Sequence, residues 1–382
     1  MDNDAASRVN PLAAERGRFA VTAEWAYLNH ASRGPLSPAA AAAIERVAGE
    51  MLFCHPEQIP AMERDLTEAR RSIAALIGAR SMSIAFVANT SSGLAHVAGS
   101  LDWRSGDNVI LRRGEFPANV YPWLNLRRRS VEVRWLDQRP GGVTVDDLRP
   151  LVDERTRVAA LSWVDFADGS RIDTAALGGF CRERGVRFVV DAIQGVGALA
   201  VDLKNIDALV CGGGKWTLAP QGGGFLHLAP ELLADWTPDR LGWLSVVPNA
   251  DLRLHRLTDY EQPPAPDARR VEPGSNSLLT QLALGDSCAY LRDLGPRAIE
   301  TRIVELCDYL IAGLAARNVT VTSPIIPGRR SGIVTFAVDE PAALLERLRA
   351  AGVIVSLREG SLRVGIHFYN NTNDLDRLLA EL

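Results

Sequence analysis

The chain has 382 residues, is 47% hydrophobic and 23% charged, and carries a formal net charge of −4. That length and apolar share suffice to bury a large core and to divide into two domains, and the acidic balance gives no support for nucleic-acid or anionic-membrane binding. No run of about 18 apolar residues exists and the acidic start Met1-Asp2-Asn3-Asp4 lacks an apolar signal stretch, so neither a membrane span nor a secretory signal is expected.

Taken in chain order, residues 1–45 read as an entry arm and one helix that pack with a small domain. Residues 46–270 read as a large domain in which short apolar runs alternate with helical patterns. The runs at 83–87, 108–111, 131–135, 158–163 and 186–190, and the run from 207 to the glycines, have strand composition. Between the later runs, 173–184 has an Asp near its start, apolar Leu177, Phe180 and Cys181, and Gly185 as a stop signal. The triple Arg127-Arg128-Arg129 reads as a helix C-terminal cap, not a docking patch. Strands interleaved with helices imply an α/β fold with a mostly parallel sheet covered on both faces. The proline-rich and charged stretch 235–270 reads as a long loop. Residues 271–382 then form a small α+β domain: helices at 278–294 and 298–317, strands at 319–321 and 333–336, a helix at 342–351, strands at 353–355 and 362–364, and a last helix at 375–382.

Five cysteines, at 54, 181, 211, 288 and 307, are odd in number and show no CxxC spacing, which suggests reduced thiols and a cytoplasmic setting. The six histidines show no HExxH or similar pairing, so no metal site is expected.

Chemistry concentrates around Lys215. The apolar run Ala208-Leu209-Val210-Cys211 ends in Gly212-Gly213-Gly214 and then Lys215-Trp216. Glycines permit backbone conformations closed to other residues and close approach to a bound group. Upstream, Phe188-Val189-Val190 runs into Asp191-Ala192-Ile193-Gln194, 24 residues before the lysine. An acid and a lysine at the ends of two buried strands suit pyridoxal phosphate: the lysine forms the Schiff base and the acid pairs with the pyridinium nitrogen. Ala88-Asn89-Thr90-Ser91-Ser92-Gly93 follows a strand and opens a helix, and a helix N-terminus offers unpaired N–H groups to an anion. Asn89-Thr90, Glu115-Phe116, Asp191 and Lys215 all fall at carboxyl ends of strands, where ligands gather in such sheets.

From Tyr27-Leu28-Asn29-His30-Ala31, through Gly34-Pro35-Leu36, to Arg363, the chain resembles the class V aminotransferase family of fold-type I pyridoxal phosphate enzymes. That family includes cysteine desulfurases, kynureninases and isopenicillin-N epimerase-like proteins. The resemblance implies a seven-stranded-type sheet in the large domain and specific roles for site residues. Thr90 and Ser91 match the phosphate-binding pair, and Phe116 matches the aromatic residue that stacks on the cofactor. Asp165 matches a loop laid beside the ring, Asp191 the acid on the pyridine nitrogen, and Gln194 the donor to the ring hydroxyl. Lys215 matches the Schiff-base lysine and proton shuttle. Arg363 matches the arginine that forks onto the substrate α-carboxylate, with Asn29 and His30 flanking the same pocket. Trp243 and Ser275 lie in loops that relatives lend to a neighbour's cofactor, implying a homodimer with sites at the interface. Two departures stand out: Gly212 and Gly214 replace a phosphate-donating serine and a histidine that many relatives carry.

The implied function is pyridoxal phosphate chemistry at Cα of a small amino acid or amine, of the aminotransferase type. An epimerase or a C–C or C–S lyase of the same family is the alternative, and a non-catalytic regulatory protein retaining the fold is a third reading. Cysteine desulfuration is disfavoured, because no cysteine lies between 308 and 382 and Cys307 falls within a helical pattern. A nicotinamide-dependent dehydrogenase fails for want of GxGxxG after an early strand.

Overall fold

The structure, a computed structural model, describes residues 11–53, 55–137, 141–247, 258 and 260–382. Its large sheet comprises β1 (Ile84–Val87), β2 (Asn108–Arg112), β3 (Glu132–Leu136), β4 (Thr156–Ser162), β5 (Arg187–Asp191), β6 (Ala208–Gly212) and β7 (Gly224–Leu228). These seven strands lie in the spatial order β1-β7-β6-β5-β4-β2-β3. β7 alone runs against its neighbours, pairing antiparallel with β1 and with β6. Alternation along each strand feeds two cores. Ile84, Phe86, Phe188 and Val190 enter one apolar cluster, and Ala85, Val87, Val189 and Val210 enter the other. Helices cover both faces, so the inner strands read as near-continuous apolar runs. β3, at the sheet edge, instead carries Glu132 and Arg134, charges that discourage further strand addition.

The strand at 224–228 went unread in the sequence. It follows Gln221-Gly222-Gly223 and starts on a glycine, so its composition signals a turn more than a strand. The fold still needs it, because it fills the gap between β1 and β6.

Helix α1 (Pro38–Met51) is capped by Ser37, whose hydroxyl accepts from the Ala40 amide at 3.0 Å. α1 and α2 (Gln58–Ile77) pack along α5 (Leu278–Leu294), with Gly285 set directly against Ala69. Two further helices pack on the sheet: α3 (Thr90–Ser100) against β6, and α4 (Thr174–Glu183), capped by Asp173 and stopped before Gly185 at φ 69°, against β5. Arg127–Arg129 close a short 3-10 helix, as a C-terminal cap does.

The C-terminal part holds α6 (Pro296–Ala315), β8 (Thr320–Val321), β9 (Ile333–Ala337), α7 (Pro341–Ala350), β10 (Ser356–Arg358), β11 (Ser361–Gly365) and α8 (Thr372–Leu379). Its four-stranded antiparallel sheet runs β10-β11-β9-β8. The single strand expected at 353–355 is divided. Val353–Ile354 pairs in parallel with Ala26–Tyr27 of the arm, and the chain after Val355 forms β10. The arm also bridges β11 through Asn29 and Gly365. The expected loop at 235–270 falls partly on 248–257 and 259, outside the described residues, and Cys54 lies outside them too. Cys181, Cys211, Cys288 and Cys307 are free and buried. No helix among the described residues is long and apolar enough to cross a membrane.

Candidate active site

After β6 the chain turns through Gly213 and Gly214 into Lys215. Gly213 donates to the Gly223 carbonyl at 2.8 Å, while its own carbonyl accepts from the Ala219 amide at 3.0 Å and the Thr217 hydroxyl at 2.7 Å. Leu218 closes the turn on the Lys215 carbonyl at 3.2 Å with φ 54°, a left-handed conformation that a branched residue holds only under tertiary constraint. The arm supplies that constraint. Gly34 donates to the Gly214 carbonyl at 3.0 Å, and any side chain at Gly34 would strike the Lys215 carbonyl. Beneath the lysine, the buried Trp216 indole donates to Gln194 Oε1 at 2.8 Å, and Gln194 Nε2 donates to the Ala31 carbonyl at 3.0 Å. Gln194 therefore ties the lysine turn to the arm.

Lys215 Nζ sits 5.5 Å from the centre of the Phe116 ring and has no hydrogen bond or ion pair among the described residues. Burial lowers its pKa from 10.5 to about 8; Asp191 pulls the other way, and Arg363 and Arg358 push it further down. Asp191 is 3% exposed at the end of β5. Burial raises its pKa to about 7, with Glu115 adding to the rise; the Ile193 amide, donating at 3.0 Å, and Lys215 oppose it. Both groups are thus held toward their neutral forms, the state of a nucleophilic amine and of an acid awaiting a cationic partner.

A second tier of charge lies beside Asp191. Glu115 accepts from the Ser162 amide at 3.0 Å and from the Ser162 hydroxyl, and Ser162 is the register partner of Asp191. Arg112, at the end of β2, stands 3.5 Å from Glu115 and binds Asp165. Asp165 also accepts from the Ala167 and Asp168 amides at 2.6 and 3.0 Å, so its carboxylate is committed to Arg112 and its own loop. This Arg112–Glu115–Ser162 network was not read in the sequence. Its one local signal is the charged run Arg112-Arg113-Gly114-Glu115, which ends an apolar strand just before Phe116.

The helix start fits a phosphate. Asn89 caps α3 by accepting the Ser92 amide at 2.9 Å, leaving the Thr90 and Ser91 amides at the first turn. The Thr90 hydroxyl is buried without a partner, and a Cβ added at Gly212 would lie 3.1 Å from it. A buried orphan hydroxyl beside helix amides, with a glycine leaving room, is what a bound anion fills. With the buried acid and the free amine at neighbouring strand ends, the residues present fit pyridoxal phosphate.

Arg363, on β11, is 2% exposed. It donates through Nε to Ser356 Oγ at 3.2 Å, through Nη1 to the Phe166 carbonyl at 2.5 Å and through Nη2 to Ser32 Oγ at 2.7 Å. No carboxylate pairs with it among the described residues. Asn29 Oδ1 is likewise buried without a partner. His30 is placed differently from the pocket-flanking position read in the sequence. It is fully buried behind Trp216, with Nδ1 at 2.9 Å from the Gly365 carbonyl and Nε2 at 2.6 Å from the Tyr369 hydroxyl. Burial lowers its pKa to about 4, so it is a neutral packing group. Phe116 is 44% exposed and meets Phe166 edge-on at 5.3 Å. Ser91 is exposed at the helix mouth. Trp243 and Ser275 are exposed on adjoining loops joined by Ser245 Oγ donating to the Glu272 carbonyl at 3.0 Å.

Residues 60–378 match the family described as aminotransferase class-V. A probable cysteine desulfurase of Methanothermobacter thermautotrophicus is 30% identical, over 83% of this chain and 82% of that protein. The isopenicillin N epimerase of Streptomyces clavuligerus is 30% identical over 96% of each chain. Among solved structures, a cysteine desulfurase of Thermococcus onnurineus NA1 superposes with a TM-score of 0.86 at 20% identity, over 98% of both chains, a likeness of fold. With strand order, lysine turn and sequence all in agreement, this chain belongs to the aminotransferase class-V family, and its cofactor is pyridoxal phosphate.

Proposed function

We propose that the protein is an aminotransferase-type enzyme acting at Cα of a small amino acid or amine, working in the cytoplasm as a homodimer. The observation that carries this reading is that Lys215 Nζ faces the Phe116 ring at 5.5 Å, so the lysine can carry a proton and the ring opposite it cannot. Pyridoxal phosphate, when bound, supplies an aldehyde for amine exchange and an electron sink for charge at Cα. In the proposed roles, Thr90, Ser91 and the helix amides hold the phosphate, Phe116 stacks on the ring, and Asp191 keeps the pyridine nitrogen protonated. Gln194 has one remaining N–H for the ring hydroxyl, and Asp165 fixes the neighbouring loop through Arg112. Arg363 and Asn29 orient the substrate carboxylate. The Lys215 amine then removes the Cα proton and returns it elsewhere on the same face, a transfer suited to a base with pKa about 8. Exposed Trp243 and Ser275 support completion of the site by a second copy.

The similarity to an epimerase supports a second reading, in which the Cα proton returns to the opposite face. That needs an acid on the Phe116 side, and phenylalanine cannot serve. His30 and His367 are buried with their ring nitrogens engaged. Persulfide chemistry needs an accessible thiol, and the four described cysteines are buried. The deciding experiment follows the cofactor's visible absorbance. In transamination an amino acid bleaches it and a 2-keto acid restores it. Solvent-deuterium uptake with loss of optical purity, without bleaching, establishes epimerisation and overturns the reading.

The phosphate assignment predicts opposite effects from one substitution. Thr90→Val removes an unpaired buried hydroxyl, so the cofactor-free protein should melt no lower than wild type. It also removes a hydrogen bond to a charged group, about 1.5–3 kcal/mol, which weakens cofactor binding by roughly 10- to 100-fold. Equilibrium cofactor titration and a melting curve check both halves.

A further inference from the structure

β10 and β11 form a hairpin whose last paired residues are Arg358 and Ser361. Its two turn residues, Glu359 and Gly360, have φ of 45° and 80°, the positive pair of a type I′ connection. A tight turn of this kind leaves no slack in the register. Ser356 stands opposite Arg363, so strand alternation puts Arg358, two residues further on, on Arg363's face. The other face of the hairpin carries Leu362 and Val364, both fully buried in the core. Arg363 and Arg358 are therefore diagonal neighbours on the site-facing side, one buried and one exposed at the rim.

Like charges close together on one face of a strand pair repel, and a carboxylate paired with either would offset that repulsion. Here neither forms an ion pair among the described residues, and Asp165, bound to Arg112, acts on Arg363 only through space. The Arg358 guanidinium's hydrogen bond goes to the neighbouring Leu357 carbonyl at 2.8 Å, and Glu359 makes no ion pair with it. Burial is the main cause that lowers the basicity of Arg363 and Lys215, and the Arg358 charge reaches the site to lower both further, against Asp165 at Arg363 and Asp191 at Lys215.

We propose that Arg358 is a specificity residue that reads a second carboxylate, so that the preferred substrates are dicarboxylic amino acids. The inference rests on the proposed function in one respect: Arg363 takes the α-carboxylate. Arg358, further out on the same face, takes the distal one. Two guanidinium groups that form no ion pair with a carboxylate among the described residues attract a dianion and disfavour a substrate with a cationic side chain.

The test uses ligands without an amino group, which bind but cannot react. Calorimetric titration of the holoenzyme compares succinate, glutarate and adipate with butyrate, pentanoate and hexanoate. At one chain length or more, the dicarboxylate should bind at least about tenfold tighter than its monocarboxylate partner, the scale of one charge-assisted pair. Arg358→Gln should remove that preference, weakening the dicarboxylates by more than their monocarboxylate partners, and Arg358→Lys should restore part of it. Equal binding of every pair by wild type, or an unchanged preference in Arg358→Gln, overturns the proposal. Because no turnover is read, a failed amino-acid assay leaves this result interpretable. Conversely, turnover without a dicarboxylate preference removes only the role of Arg358.

Discussion

Lys215→Ala will lose amino-acid turnover by about 10⁴-fold or more and will lack the visible absorbance of the bound cofactor, because the variant has neither the attachment point nor the base. Borohydride treatment followed by peptide mass mapping checks the attachment. Wild type should retain a cofactor mass on the peptide containing Lys215, and the variant should retain none. The substitution should not act by unfolding. The amine makes no hydrogen bond among the described residues, and its pKa is lowered from 10.5 to about 8. The sign follows: the folded state favours the neutral amine, so folding free energy is lost as pH falls from 10.5 toward 8 and the loss is complete below 8. Alanine removes that loss and forfeits only the packing of the side-chain stem. At pH 7 the cofactor-free variant should melt within a few degrees of wild type. Cofactor mass retained on another lysine would overturn the assignment.

The parts of this site legible in the sequence are those in which one residue closes one strand. Asp191 ends β5, the lysine turn follows β6, and Thr90 opens the helix after β1, so period and punctuation lead directly to each. What stayed hidden depends on chain segments far apart. The Trp216–Gln194–Ala31 brace joins residues separated by 163 positions at its longer bond. The Arg112–Asp165 pair spans 53 positions. Neither leaves a local periodicity. The orphan state of the Thr90 hydroxyl is also a property of packing, since only the fold shows that nothing in the chain reaches it.

The fold follows the same division. Six of the seven strands of the large sheet carry apolar runs that announce them. The seventh, β7, is disguised by the glycines that let the hairpin after Lys215 approach Thr280 closely. Near the C-terminus, 353–355 reads as one strand from composition, yet Val353–Ile354 finds a parallel partner in the arm. Partner choice across more than 300 residues is a tertiary fact, and it seats Asn29 beside β11.

Asp191→Asn should move activity and stability in opposite directions. An amide cannot hold the pyridine nitrogen protonated, so the electron sink weakens and turnover should fall by about 10²–10³-fold, the scale for losing one preorganised electrostatic group. In the cofactor-free protein the same carboxyl is a burden. Burial raises its pKa from 3.8 to about 7, so the folded state favours the protonated acid. Stability is therefore intact below pH 3.8, falls as pH rises from 3.8 to 7, and stays reduced above 7. At 1.36 kcal/mol per unit the loss is at most roughly 4 kcal/mol, and attraction to Lys215 is already included in the raised value. Asparagine can still accept from the Ile193 amide and carries no charge to bury. Cofactor-free Asp191→Asn should accordingly melt several degrees above wild type at pH 8 and match it near pH 4. Bound cofactor should narrow the difference at pH 8, because its pyridinium gives the wild-type carboxylate a partner. Melting curves at both pH values, with and without cofactor, read all of this. A variant less stable than wild type at pH 8 would mean that the carboxylate is satisfied by the protein alone, and the case for a cationic ring beside it would fall.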